Sequence, residues 1–159
     1  TLSETAAASK VLWEITNTGD YADLGYTYGV PLIVKMKTGR WAAIVGNGYM
    51  SARGYSVLYV IDLENGSLIR AIPTSAPGTA DAPSGLSSPA ALDINGDGSV
   101  EIAYAGDIDG NLWKFDLSDG GASAWSATKL YTTSPPQPIT GAPSIATAVT
   151  RASSGSSIA

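Results

Sequence analysis

The sequence holds no cysteine and no histidine. Without histidine there can be no Ser-His-Asp or Cys-His catalytic arrangement and no imidazole metal ligand. Without cysteine there is no disulfide, no thiolate metal site and no way to read the redox compartment. Charge is scarce as well: 9 Lys and Arg stand against 14 Asp and Glu in 159 residues, a net charge of -5. An acidic chain lacks the basic footprint that nucleic acid or an anionic membrane surface requires, so no nucleic-acid partner is expected. No apolar run approaches the roughly 20 residues of a membrane span. Thr1 begins no charged n-region or apolar h-region, so a signal peptide is absent or already removed. Helical periodicity is missing too, beyond the length of a turn.

What is present is an internal repeat. "WAAIVGN" (41–47) aligns with "EIAYAGD" (101–107), and "LYVIDLENG" (58–66) with "LWKFDLSDG" (112–120). The link between the paired segments is six residues longer in the first copy. "GVPLI" (29–33) aligns with "SSPAA" (87–91), and "GAPSI" (141–145) begins a third copy. Within each unit the pattern is one of short strands and turns. "LYVIDL" alternates, with Leu58, Val60 and Asp62 on one face and Tyr59, Ile61 and Leu63 on the other. Asn65-Gly66 predicts a type I′ hairpin returning into "SLIRAI". That turn explains Asn65-Gly66-Ser67 better than a glycosylation sequon does. "VLWEIT" (11–16) reads as the last strand of an earlier unit.

Units of about 55 residues with about four short strands each read as propeller blades. The fold class is therefore all-β, an incomplete β-propeller of quinoprotein-like repeats. The approximate units are 1–28 (end of a preceding blade), 29–86 (a blade), 87–140 (a blade) and 141–159 (start of a next blade). Two blades and two fragments cannot close a ring of the usual 4–8 blades, which implies part of a larger protein.

The most informative stretch is "DINGDGSVE" (93–101), with oxygen-bearing side chains at alternate positions. Ca²⁺ takes 6–8 oxygen ligands, and positions 1, 3 and 5 of a tight glycine-containing loop can all point inward. Asp93, Asn95 and Asp97 fill those positions. Ser99 would offer its backbone carbonyl, and Glu101 would close the site. An EF-hand would place a bidentate Glu at position 12 and then a helix. Here position 12 is Tyr104 and a strand follows, so this is a nine-residue loop between two strands. Asp, Asn and Gly are also ordinary turn formers. Against a plain turn stands the repulsion of three carboxylates with no Lys or Arg inside the loop. The missing His and Cys disfavour zinc.

Other polar residues read as structural. Asp107 and Asp109 flank a turn, and Asp62 and Asp116 occupy equivalent strand ends. Lys35, Lys37 and Arg40 suggest a solvated hairpin. Trp41, Tyr59 and Trp113 are expected in the core or between blades. "GNGYMSARG" (46–54) is glycine-rich but lacks the spacing and the helix of a phosphate cradle.

The set "GNGY", "LYVIDL", "GLSSP", "AYAGDIDGNLWKFDLS" and the acidic loop, in that order, resembles the C-terminal β-propeller of PilY/PilC-type tip adhesins of type IV pili, across most of residues 10–145. The resemblance implies a secreted, pilus-associated protein at the cell surface, reached through the periplasm and outer membrane. It implies a role in pilus assembly, opposition to retraction, surface attachment and twitching motility. The partners it implies are minor pilins or surface ligands of the full-length protein. It also implies calcium held by Asp93, Asn95, Asp97, the Ser99 carbonyl and Glu101, where the family pattern has Asp at the last position. No catalysis is expected. The blade pattern "LYVIDLENGSLI" is similar to quinoprotein dehydrogenase propellers as well, whose enzymes need a full ring around a quinone cofactor. The remaining alternative is a non-catalytic interaction scaffold.

Overall fold

A computed structural model describes residues 10–74 and 84–146. Two four-stranded antiparallel sheets account for its regular structure. The first runs β1 (Leu32–Lys35), β2 (Trp41–Gly46), β3 (Val57–Asp62) and β4 (Leu68–Pro73), paired in chain order. The second repeats the plan with β5 (Ala90–Leu92), β6 (Ile102–Gly106), β7 (Asn111–Asp116) and β8 (Ser126–Thr132). Two 3-10 turns, Gly19–Tyr21 and Ala122–Ala124, are the helical elements among the described residues.

The registers reproduce the sequence repeat. Ala42 pairs with Asp62 and Gly46 with Leu58; in the second sheet Ile102 pairs with Asp116 and Gly106 with Leu112. The copies differ in what joins these strands, residues 47–56 in the first and 107–110 in the second.

The alternation of apolar residues decides how the sheets stack. Leu58 and Val60 point to one side of β3, and Tyr59 and Ile61 to the other, as a period of two requires. The first set joins Val34, Met36, Ala42, Ile44 and Ile72 against Ala103, Ala105, Trp113, Phe115, Leu117 and Trp125 of the second sheet. This layer between the sheets is the main core. On the far side, Ala43, Val45, Tyr59 and Ile61 are covered by Trp13, Ile15, Tyr21 and Leu24 of the N-terminal segment.

That segment departs from expectation. Residues 11–16 form no strand; Trp13 and Ile15 pack over the face of the first sheet. Trp13 is held instead by its indole N–H, which donates to the Leu63 carbonyl at 3.0 Å. The residues 141–145 likewise form no strand; Pro143 and Ile145 lie beside Leu92, Tyr104, Leu112 and Leu130. Most of the loop 73–85 and the tail after Ala146 lie outside the described residues.

The hairpin at Asn65-Gly66 is real, but its turn is not type I′. A type I′ turn needs positive φ at both central residues, and only Gly66 has it (φ 72°). The loop closes through Gly66 N–H to Asp62 O (2.9 Å) and Ser67 N–H to the Asn65 side-chain oxygen (2.9 Å). An Asn side chain bonding two residues ahead takes the place of the second left-handed residue. Trp41 is a further correction: it is 55% exposed, while Tyr59 and Trp113 are buried.

The equivalent positions Asn47 and Asp107, each just after its sheet's second strand, anchor the two connections. Asn47 is fully buried; its amide donates to the carbonyls of Asp23 and Tyr55, and its oxygen accepts from the N–H groups of Val57 and Leu86. Asp107 accepts from the N–H groups of Asp109 and Asn111, from the Asn111 amide and from the Trp113 indole at 2.6 Å. Asp62 and Asp116 are paired in the same way, each accepting the N–H two residues ahead. The backbone also crosses closely here: a Cβ at Gly46 would overlap the carbonyl oxygens of Leu86 and Ser87.

Three outcomes follow for chemical denaturation. Gly46→Ala should lose about 2–4 kcal/mol, since backbone atoms must shift to admit the methyl group. Asp107→Ala should lose a similar amount, because buried N–H donors would be left without an acceptor. Asn65→Ala removes an exposed bond and should cost about 0.5–1 kcal/mol. An Asp107→Ala protein as stable as wild type would show that these bonds are replaced by water.

Candidate metal centre

Residues 93–101 form the hairpin between β5 and β6, whose last pair is Leu92 with Ile102. The loop is shaped by its own side chains. Asp93 accepts the N–H groups of Gly96 and Gly98, each at 2.7 Å. The Asn95 oxygen accepts from Asp97 N–H (2.9 Å), and Asp97 Oδ1 from Ser99 N–H (2.8 Å). Glu101 Oε2 reaches back to Ile94 N–H at 2.8 Å. The backbone of Glu101 is pinned on both sides, its N–H to Leu92 O and its carbonyl by Leu117 N–H.

The effect is to gather charge. Carboxylate oxygens of Asp93, Asp97 and Glu101 lie within 4.8 Å of one another. A single ion at 2.3–2.6 Å from each oxygen needs them no more than about 5 Å apart. Asp93 is half-buried, Asn95 and Asp97 are exposed, and Ser99 and Glu101 are buried. The hydrogen bond from Ser99 N–H, then that from the Asn95 amide, holds the Asp97 carboxyl below the usual carboxylate range.

One atom stands apart. Glu101 is 6% exposed, and its Oε1 is buried without a hydrogen-bond partner. Burying a carboxylate oxygen unpaired is costly, and a cation is the partner the surrounding oxygens are suited to hold. The chemistry of the donor set, all oxygen, is that of a hard cation.

Of the five residues expected at the site, the structure brings three carboxylates together. Asn95 lies beside them, its oxygen on Asp97 N–H and its amide on Asp97 Oδ2 at 3.1 Å. Ser99 sits in the same loop with its N–H on Asp97. The loop is also tied to the first sheet: Val100, between Ser99 and Glu101, donates its N–H to the Lys35 carbonyl at 2.9 Å.

The hairpin carrying Lys35 is therefore more than a solvated turn. Arg40, at its end, pairs with the buried Asp62. Sequence reasoning also missed Asp23, which is 5% exposed and accepts a two-pronged ion pair from Arg53 together with the Tyr55 hydroxyl at 2.9 Å. Burial pushes the neighbouring Tyr59 phenol upward. No local motif links Asp23 to Arg53. The alignment of Asn47 with Asp107 was a usable signal for their shared role.

The chain is similar to known proteins along most of its length. A family model described as the PilY1 beta-propeller domain matches residues 2–157. A type IV pilus biogenesis factor PilY1 of Pseudomonas aeruginosa (strain PAO1) is 44% identical over 111 residues, covering 70% of this chain and 9% of that protein. A PilY1 homolog of Xylella fastidiosa is 44% identical over 124 residues, covering 74% of this chain and 8% of that protein. The chain thus spans under a tenth of the length of these relatives. The crystal structure of the Pseudomonas aeruginosa PilY1 C-terminal domain superposes with a TM-score of 0.75 at 35% identity, covering 84% of this chain and 31% of that one. The two sheets are blades of an incomplete propeller, and the chain belongs to the PilY1 β-propeller domain family.

Proposed function

We propose that this chain is the calcium-binding propeller segment of a type IV pilus biogenesis factor. Asp93, Asn95, Asp97, the Ser99 carbonyl and Glu101 are its ligands. The observation that carries the reading is the buried, unpartnered Glu101 Oε1 beside two further carboxylates. Family membership supports the pilus role, since the relatives are named as biogenesis factors of type IV pili. In this reading the protein is extracellular and pilus-associated, and it works by holding pilus components or surface ligands rather than by catalysis. The units 29–86 and 87–140 are its two blades. No helix among the described residues is long and apolar enough to cross a membrane.

The chain's own residues do most of the work at the site. Glycines 96 and 98 let the loop bend, Asp93 fixes that bend, and the strand after Ser99 presents Glu101 from the buried side. Calcium would supply the positive charge that relieves the repulsion among three carboxylates and would partner Glu101 Oε1. The relation to the familiar twelve-residue calcium loop is one of ligand logic alone.

Calcium at a hundredfold excess over Kd should stabilise the folded state by about 2.7 kcal/mol. The Kd should fall between roughly micromolar and millimolar, the range of sensors and extracellular modules. Asp97→Ala should lose most of the affinity while keeping the fold, because its side chain is exposed. Glu101→Gln should abolish the calcium-dependent rise in melting temperature. Calorimetric titration after chelator treatment checks the first, and thermal melting with and without calcium the second; equal affinity in wild type and Asp97→Ala would sink the calcium reading. In cells, Asp97→Ala should alter surface piliation, attachment or twitching without blocking secretion, read by counting sheared pili and by spreading along the interface beneath firm agar.

A further inference from the structure

The acidic loop has two halves, held in different ways. Asp93, Asn95 and Asp97 line its outer half and are set by bonds the loop makes to itself. Ser99 and Glu101 are buried, and Val100 between them is where the second blade meets the first. Its N–H donates to the Lys35 carbonyl at 2.9 Å. Among the described residues, this is the only main-chain hydrogen bond between residues 32–73 and residues 90–132. The Val100 side chain packs against the core layer that both sheets share. The acceptor is anchored in turn: Met36, next to Lys35, is 1% exposed in that layer, and its N–H donates to Arg40 O at 2.8 Å.

The Val100 N–H and the Ser99 carbonyl belong to one peptide unit. A trans peptide is planar, so its N–H and C=O point in opposite directions. With the N–H on Lys35, the Ser99 carbonyl is turned away from that acceptor, and no backbone N–H among the described residues donates to it. We propose that the first blade is part of the cation site: the Lys35 carbonyl, through the Ser99–Val100 peptide, aims the Ser99 carbonyl at the ion. The coupling rests on the calcium reading above, and it runs both ways. Loosening the seam lets the peptide rotate and the ligand swing off. An ion on the Ser99 carbonyl polarises the same peptide and strengthens the bond its N–H makes to Lys35. By linkage, whatever seam closure does for calcium affinity, calcium does for seam closure. Occupancy of a loop on one blade is thereby transmitted to the packing of two.

The direct test is NMR of the labelled protein, reading the scalar coupling across the hydrogen bond from Val100 N–H to the Lys35 carbonyl. On calcium addition it should grow in wild type, by roughly the 10–30% typical of one bond polarising the next, and stay constant in Asp97→Ala. Calorimetric titration of Val100→Ala, Val100→Ile and Ile72→Val supplies the converse. Ile72 is buried in the same layer but lies on β4, at the opposite edge of its sheet from β1, so it controls for a general loss of packing. Val100→Ala should bind calcium about 5–20-fold more weakly than wild type, while Val100→Ile and Ile72→Val should match it within about twofold. A coupling that ignores calcium while titration shows binding would overturn the proposal and leave the calcium site standing. Wild-type affinity in Val100→Ala, or an equal loss in Ile72→Val, would do the same. Absence of binding in wild type would overturn the calcium reading and this proposal together.

Discussion

Ile44, Leu58 and Val60 of the first sheet share with Ala103, Ala105 and Phe115 of the second a layer closed to water, and every functional feature is placed by it. Burying one such large side chain contributes roughly 1.5–3 kcal/mol, and the layer contains many. It fixes one sheet over the other, so that the β5–β6 hairpin comes to lie against the β1–β2 turn. Val100 reaches Lys35 because this packing puts the two backbones side by side. The acidic loop is a local motif in the chain, but its setting is made by two blades.

A second constraint works within each blade. The polar residue after the second strand, Asn47 or Asp107, is buried and uses its side chain as a hub for the connection that follows. The hubs differ because the connections differ. Asn47 faces carbonyls as well as N–H groups and needs both a donor and an acceptor; Asp107 faces only donors. The longer first connection is braced further by Asp23 with Arg53 and Tyr55. Polar groups at these depths are expensive unless satisfied.

Strand positions were legible in the sequence, because alternation in "LYVIDL" and the aligned copies of two strand segments carry the period of a sheet. The loop between strands was legible for the same reason, together with its alternate oxygens. Three things were not. The strand expected at 11–16 is absent: Trp13 and Ile15 pack on the face of the first sheet instead, a tertiary contact that no local pattern reveals. The turn at Asn65-Gly66 takes positive φ only at Gly66, because an Asn side chain can complete a turn in more than one way. Trp41 is exposed despite its size, since it sits at the start of β2 rather than in its middle. Within the site, the three carboxylates were readable from spacing. The depth of Glu101, its orphaned Oε1 and the support from the first blade depend on packing between units distant in sequence.

The most direct measurement is a crystal structure of the protein grown with millimolar calcium, with the ion identified by its anomalous scattering. An ion bound by Asp93, Asn95, Asp97, the Ser99 carbonyl and Glu101 at 2.3–2.6 Å, with Glu101 Oε1 among its ligands, is the predicted result. A loop free of calcium at that concentration, with Glu101 Oε1 bonded to water or to protein instead, would contradict it.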